Sequence, residues 1–313
     1  YTIDLHVYDT ERDVAATQAV IGELNQLSPD LIIGPVYANT YKLVAEQLQN
    51  RVIPMIYPLS SRAGELARFP NFVQMNICNS SLVEEMAGWV SANSREAHLI
   101  NIIPDGNARS GEESRLPALI RAHLQGEIAE PMVDYRWRPQ MHVDSVRKVL
   151  RPGVENIIIF PTLNEAAASR TLPVLSALAD HFKITVIGFP EWLKFTSIDE
   201  EMFYKLNVKI MANSYVDYQG KTATSFSAKH REYFYSEPNN IANRAFDMAL
   251  YFIPLVEKER TNTLNSLRNS DAEGMFTRFR FRPMGNFGGL ENRGLYLIHY
   301  DSKYNIIVTP LKR

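Results

Sequence analysis

The residues that could do chemistry fall in five short loops: Asn39 and Thr40, Ser60 and Ser61, the stretch from Asp105 to Ser110, Thr162 and Asn164, and Glu191 with Trp192. Most are hydroxyls, amides and carboxylates, groups that hold a polar ligand by hydrogen bonds and charge. Signatures of reaction chemistry do not assemble around them. The seven histidines, at 6, 98, 123, 142, 181, 230 and 299, include no i, i+4 pair and no neighbouring cysteine, so local metal-ligand spacing is absent. No Gly-x-Ser-x-Gly elbow presents a nucleophile. Gly220-Lys-Thr222 has the end of a phosphate loop, but Tyr215 stands where the first glycine belongs. Gly285-Asn-Phe-Gly-Gly289 lacks dinucleotide spacing and leads from no strand into a helix. The sequence implies binding without catalysis, with no cofactor and no metal.

Those loops need elements to position them, and each follows an apolar, strand-like run. Thr2 to Tyr8 alternates apolar and polar residues, and a helix then places Val14, Ile21, Leu24 and Leu27 on one side. Asp30-Leu-Ile-Ile-Gly-Pro35 is a buried strand ending at a breaker, before a helix carrying Tyr37, Tyr41, Val44 and Leu48. Val52 to Tyr57 and Phe72 to Met75 read as strands, followed by a helix with Leu82, Val83, Met86 and Val90. The rhythm restarts with strands at His98 to Ile103, Met132 to Tyr135, Glu155 to Phe160, Lys183 to Gly188 and Val208 to Ala212. Helices at Glu113 to Leu124, Val143 to Leu150 and Glu165 to His181 separate most of them. Strands alternating with helices predict parallel sheets, and two such sets predict two doubly wound α/β lobes.

The tail differs. Ser225 to Tyr235 and Ile241 to Glu257 read as helices, the second with Ile241, Ala245, Met248, Phe252 and Val256 on its apolar face. Met275 to Phe281, Gly294 to Tyr300 and Tyr304 to Val308 read as β-structure, with Asp301-Ser-Lys303 as a hairpin connection.

In open α/β sheets ligands sit outside the carboxyl ends of the strands, where amides and helix N-termini point outward. Small polar residues recur at those ends in both sets. Taken singly, Asn39, Thr40, Ser60, Ser61 and Asn164 read first as helix caps, and only their recurrence at successive strand ends points to a ligand. Glu191 also reads as a solvated loop charge, and Trp192 as a packing aromatic.

Composition bounds the partners. A length of 313 residues suggests about two domains. The 33 Lys plus Arg against 35 Asp plus Glu leave a net charge of −2, without the basic excess of a nucleic-acid binder. Cys78 is the single cysteine, so no internal disulfide forms. No apolar run approaches the roughly 18 residues a membrane span requires. The chain opens on Tyr1 and a strand-like alternation, which raises the expectation that a signal peptide or other upstream segment has been removed.

Three stretches carry a resemblance: Asp30-Leu-Ile-Ile-Gly-Pro35, Val52-Ile-Pro-Met-Ile-Tyr-Pro-Leu-Ser60 and Phe69-Pro-Asn-Phe-Val73. Together they resemble type 1 periplasmic binding proteins, in the branch of leucine/isoleucine/valine-binding proteins and related receptor ligand-binding regions. The resemblance implies two Rossmann-like lobes joined by a three-crossover hinge that close over a ligand in the cleft. Lobe one would be residues 1–95 plus about 218–275, and lobe two 96–217 plus about 276–313. Asn39 and Thr40 match the polar loop after the family's second motif strand. Ser60 and Ser61 match the hydroxyl loop that takes a ligand α-carboxylate, and Glu191, in Gly188-Phe-Pro-Glu191, matches a glutamate that takes an α-ammonium group. The chain departs from the pattern at Leu59, where a small residue is usual, and at Thr162 or Asn164, where a tyrosine is frequent.

Family members carry a strand and helix before the segment matching Thr2 to Tyr8, so the resemblance implies one upstream βα unit. Phe281 to Tyr300 is similar to the late part of such regions in bacterial envelope proteins bearing a peptidoglycan-binding LysM module. The expected function is non-enzymatic, extracytoplasmic binding of a small polar solute such as an amino acid or peptide-like molecule, with a membrane transporter or envelope protein as partner. The alternative is an envelope regulatory or scaffolding module that keeps the fold and has lost the ligand.

Overall fold

The computed structural model describes residues 2–104, 111–125, 131–138, 143–217, 220–286 and 288–311. In chain order the first elements are α1 (Val14–Leu27), β1 (Ile32–Ile33), α2 (Ala38–Leu48), β2 (Met55–Tyr57), β3 (Phe72–Gln74) and α3 (Asn79–Asn93). Next come β4 (His98–Ile103), α4 (Leu116–His123), β5 (Val133–Arg136), α5 (Val143–Arg147), β6 (Glu155–Ile159), α6 (Glu165–Ser176) and β7 (Lys183–Gly188). They are followed by α7 (Glu200–Lys205), β8 (Lys209–Ala212), α8 (Lys221–Phe234), α9 (Asn240–Glu259) and α10 (Thr263–Arg268). Six strands close the chain: β9 (Ala272–Glu273), β10 (Arg278–Phe279), β11 (Phe281–Pro283), β12 (Leu290–Asn292), β13 (Tyr296–Tyr300) and β14 (Ile306–Pro310). Two compact units result, one of Tyr1–Cys78 with Val216–Gly294, the other of Asn79–Tyr215 with Leu295–Arg313. The chain passes between them three times.

Unit 1 is built on a five-stranded sheet in the order β1-β2-β3-β12-β11. Strands β1, β2, β3 and β12 run parallel, with Ile33 opposite Ile56, Met55 opposite Phe72 and Leu290 opposite Val73, while β11 returns antiparallel. Alternation sorts the side chains between two faces. Met55, Tyr57 and Phe72 join Ile21, Leu24, Tyr41, Val44 and Leu48 of α1 and α2. Ile56 and Val73 join Met248 and Phe252 of α9 with Phe279 and Phe281. Both faces are covered, which is why these short strands read as continuous apolar runs.

Two details depart from the sequence pattern. Thr2 to Tyr8 alternates as a strand does, yet it pairs with nothing among the described residues, and Ile3, Leu5 and Val7 are 55%, 77% and 83% exposed. A strand exists only as half of a ladder, and β1 forms the edge of the described sheet. On α9 the buried side is Asn243, Asp247, Met248, Phe252 and Val256, with Ile241 and Ala245 turned outward. Polar residues lead that face because Asp247 is needed inside. Its carboxylate accepts the backbone N–H groups of Met275 (2.8 Å), Phe276 (2.8 Å) and Thr277 (2.6 Å).

Unit 2 holds a seven-stranded sheet in the order β14-β13-β8-β7-β6-β4-β5. The strands from β5 to β8 are parallel, and the β13–β14 hairpin is added antiparallel to β8. Helix α3 packs on α4 and so belongs with this unit. Buried Asn156 ties the start of the sheet, exchanging hydrogen bonds with the Arg151 backbone and donating to the carbonyl of Lys183. Among the described residues no helix is long and apolar enough to cross a membrane.

Candidate functional site

The polar loops of unit 1 all leave the carboxyl ends of its parallel strands. Asn39 and Thr40 lie in the first turn of α2, just after β1. Asn39 is exposed, and the buried Thr40 hydroxyl donates back to the Tyr37 carbonyl (3.0 Å), as a helix-start residue does. After β2, half-buried Ser60 forms a tight local turn in which its hydroxyl oxygen accepts the Arg62 N–H (3.0 Å). Ser61 is half-buried beside it.

A second set of side chains, which local spacing does not reveal, holds this loop from behind. Asn76, two residues beyond β3, donates its amide N–H to the carbonyl of Leu59 (2.5 Å). The Arg244 guanidinium of α9 donates to the Asn76 side-chain oxygen. Gln74 donates to the Asn76 carbonyl (2.7 Å). Burial holds the Arg244 pKa below the ordinary arginine value. A neighbouring contact, Cys78 N–H to the buried carboxylate of Glu291 (2.6 Å), with Arg293 on the other oxygen (2.9 Å), secures the end of β12.

In unit 2, Thr162 and Asn164 follow β6 and Glu191 and Trp192 follow β7. Asn164 is the N-cap of α6, its side chain accepting the Ala167 N–H (2.9 Å), and its own N–H donates to the Thr162 hydroxyl (3.1 Å). Thr162 and Trp192 are brought together: the indole N–H donates to the Thr162 carbonyl (2.8 Å). Trp192 is fully buried among Phe160, Phe195 and Phe203. Gly188 makes room for it, since a Cβ there would stand 2.8 Å from the indole ring. Glu191, next to this anchor, is half-buried, and one of its carboxylate oxygens is sealed from solvent without a hydrogen-bond partner among the described residues.

Glu191 lines a small, partly open pocket with Asn79, Leu82, Val83, Glu113, Leu163 and Phe189. Glu113 is buried, and desolvation, reinforced by the nearby Glu191 charge, raises its pKa. In the sequence Glu113 stands at a helix start, and nothing local signals that the fold returns it to Glu191. Asp105 and Ser110 lie outside the described residues. None of the candidate residues lines the groove of about 490 Å³ in unit 1 between Asp217, Lys221, Tyr251 and Phe279. No group of three or more metal-ligating side chains comes together among the described residues.

No protein-family model and no curated protein matches the sequence. Solved structures do match. One is a Rhodospirillum rubrum protein described as a branched-chain amino acid ABC transporter, with 10% identity over 98% of this chain and 88% of that one, at a TM-score of 0.69. Another is an ABC transporter substrate-binding protein of Desulfitobacterium hafniense in complex with Leu, at 13% identity, the same coverage and a TM-score of 0.52. A third is the C-domain of LpoA from Haemophilus influenzae, a regulator of PBP1A, at 11% identity over 97% of this chain and 89% of that domain, with a TM-score of 0.56. The chain has the type 1 periplasmic binding protein fold. Within that fold the same architecture serves a substrate-binding protein and a regulator, so the likeness fixes the scaffold and leaves function to the side chains. The loops after β2 and β7 leave the carboxyl ends of parallel strands, where open α/β sheets take their ligands.

Proposed function

We propose that the chain is a non-enzymatic, extracytoplasmic solute-binding protein whose ligand is a small molecule bearing an ammonium group, such as an amino acid or a peptide-like compound. One observation carries this reading. Glu191 keeps a buried carboxylate oxygen unpartnered among the described residues, at the carboxyl end of a parallel strand, with apolar Leu82, Val83, Leu163 and Phe189 around it. A buried anionic oxygen left unpaired is costly, and a cation that hydrogen-bonds to it removes the cost. Glu113 shares the pocket with Glu191, and burial together with the Glu191 carboxylate raises its pKa. A membrane transporter that receives the ligand-bound form is the partner this role requires.

The test is a thermal-shift panel of amino acids and short peptides on the whole chain. A ligand at 100 times its Kd adds about 2.7 kcal/mol, a rise of several degrees at roughly 2–4 °C per kcal/mol. Glu191→Gln should abolish the shift while leaving the unliganded melting temperature within a few degrees. A shift that survives this substitution would move the ammonium site elsewhere.

A specific surface feature favours a second reading, an envelope regulatory module acting through protein contacts. Tyr233, Phe234 and Tyr235, at the end of α8, are 74%, 68% and 93% exposed. Three consecutive aromatic side chains in solvent are unusual outside interaction surfaces. A flat ligand panel on a well-folded chain would favour this reading over the first.

A further inference from the structure

We infer that Arg244 is an anion-binding residue, and that the ligand of unit 1 is a small carboxylic acid whose carboxylate docks on its guanidinium. This deepens the solute-binding reading and rests on it. Arg244 is half-buried on α9, and no carboxylate lies within ion-pair distance of it among the described residues. Two arginines of this unit are more buried than Arg244: Arg278 is paired to Asp271 and Glu273, and Arg280 donates to the backbone carbonyl of Arg293. Arg293, at the end of β12, is likewise paired, with Glu291. Arg244 instead has one neutral partner, the side-chain oxygen of Asn76.

That partner sets where the guanidinium stands. Asn76 follows β3 and donates in turn to the carbonyl of Leu59, which follows β2 and immediately precedes Ser60 and Ser61. The relay Arg244–Asn76–Leu59 ties the cation to the carboxyl ends of two adjacent parallel strands. A guanidinium has five donors in a planar fork. One is spent on Asn76, and the rest suit the two oxygens of a carboxylate. With one unneutralised guanidinium, the site matches a singly charged carboxylate better than a phosphate dianion.

The experiment compares matched probes on the full chain by calorimetry and thermal shift: L-leucine against L-leucinamide, L-glutamate against L-glutamine, and inorganic phosphate. Leucinamide keeps the ammonium and loses the carboxylate, so it isolates what the carboxylate contributes. An acid that binds at least tenfold more tightly than its amide, and loses at least tenfold in affinity with Arg244→Gln, supports the inference. Arg244→Lys keeps the charge and loses the fork, so it should weaken the acid and leave the amide unaffected; this variant also decides the matter if Arg244→Gln fails to fold. Acid and amide binding equally, with no change in either variant, overturns the role of Arg244 and leaves solute binding intact. Phosphate binding that depends on Arg244, without any carboxylate binding, overturns the ligand class. If no probe binds the unaltered chain, both readings fall together.

Discussion

The loop after β7 in unit 2 and the loop after β2 in unit 1 occupy equivalent places in their sheets, yet they are fixed in opposite ways. Glu191 rides on a core aromatic: Trp192 is buried, its N–H satisfied by Thr162, and Gly188 is shaped to admit it. Ser60 and Ser61 ride on side-chain hydrogen bonds, a tight turn of their own and the Asn76–Arg244 relay behind Leu59. Packing anchors the backbone next to one polar group. The other depends on a chain of polar contacts that a ligand or a single substitution can rearrange. A rigid acceptor and a compliant donor set are different solutions to the same topological problem, and the difference is measurable.

The largest effect expected is at the anchor. Trp192→Ala should cost about 3–5 kcal/mol in denaturant unfolding, the range for emptying a packed aromatic site. If it costs under about 1 kcal/mol, the contrast between the two loops collapses. Asp247→Ala comes next, at about 2–3 kcal/mol, because three backbone N–H groups lose a buried charged acceptor. It acts on the helix that carries Arg244, so it should also weaken any ligand that depends on that residue.

Glu113→Gln sharpens the comparison through pH. The folded pKa of Glu113 is raised by burial and by Glu191. Its contribution to stability is therefore complete below the unfolded glutamate value and is lost as pH rises through the raised folded value. The variant should flatten that fall and be more stable than the parent near neutral pH, by less than about 1 kcal/mol, in melts taken from about pH 4 to pH 8. Equal slopes would mean that Glu113 ionises freely. The smallest effect is Ser60→Ala, about 0.5 kcal/mol for a half-exposed turn hydrogen bond, read as a small shift in melting temperature.

How much of this was legible in the sequence follows from the range of the interactions. The alternation of strands and helices, and the polar residues at strand ends, are local patterns, and the sheets of both units follow them. Glu191 stands out in the sequence because it follows the apolar run Lys183 to Gly188, and it does lie beyond the carboxyl end of β7. Arg244 does not stand out, since its role depends on Asn76, 168 residues earlier in the chain. Glu113 reads as an ordinary helix-start acid until the fold brings Glu191 beside it. The face of α9 follows its apolar spacing at Met248, Phe252 and Val256 and departs from it at Ile241 and Ala245: Asp247 is buried by what residues 275–277 require, and hydrophobic spacing carries no record of that. Thr2 to Tyr8 illustrates the converse, a local pattern that the described sheet leaves unused.

The threefold passage of the chain between its units has a consequence during synthesis. Strand β3 finds its neighbour β12 only after the 137 residues from Asn79 to Tyr215, and most of Val216 to Asn292, have been made. At roughly 5–20 residues per second, that intervening stretch alone delays the pairing by about 7–27 s. For that interval the nascent chain holds an apolar half-sheet with an open edge, while most of unit 2 is already available to fold. Ribosome-bound chains halted near residue 215 should therefore show a protease-sensitive N-terminal part beside a more protected middle, and the N-terminal part should be the one that engages a holding chaperone.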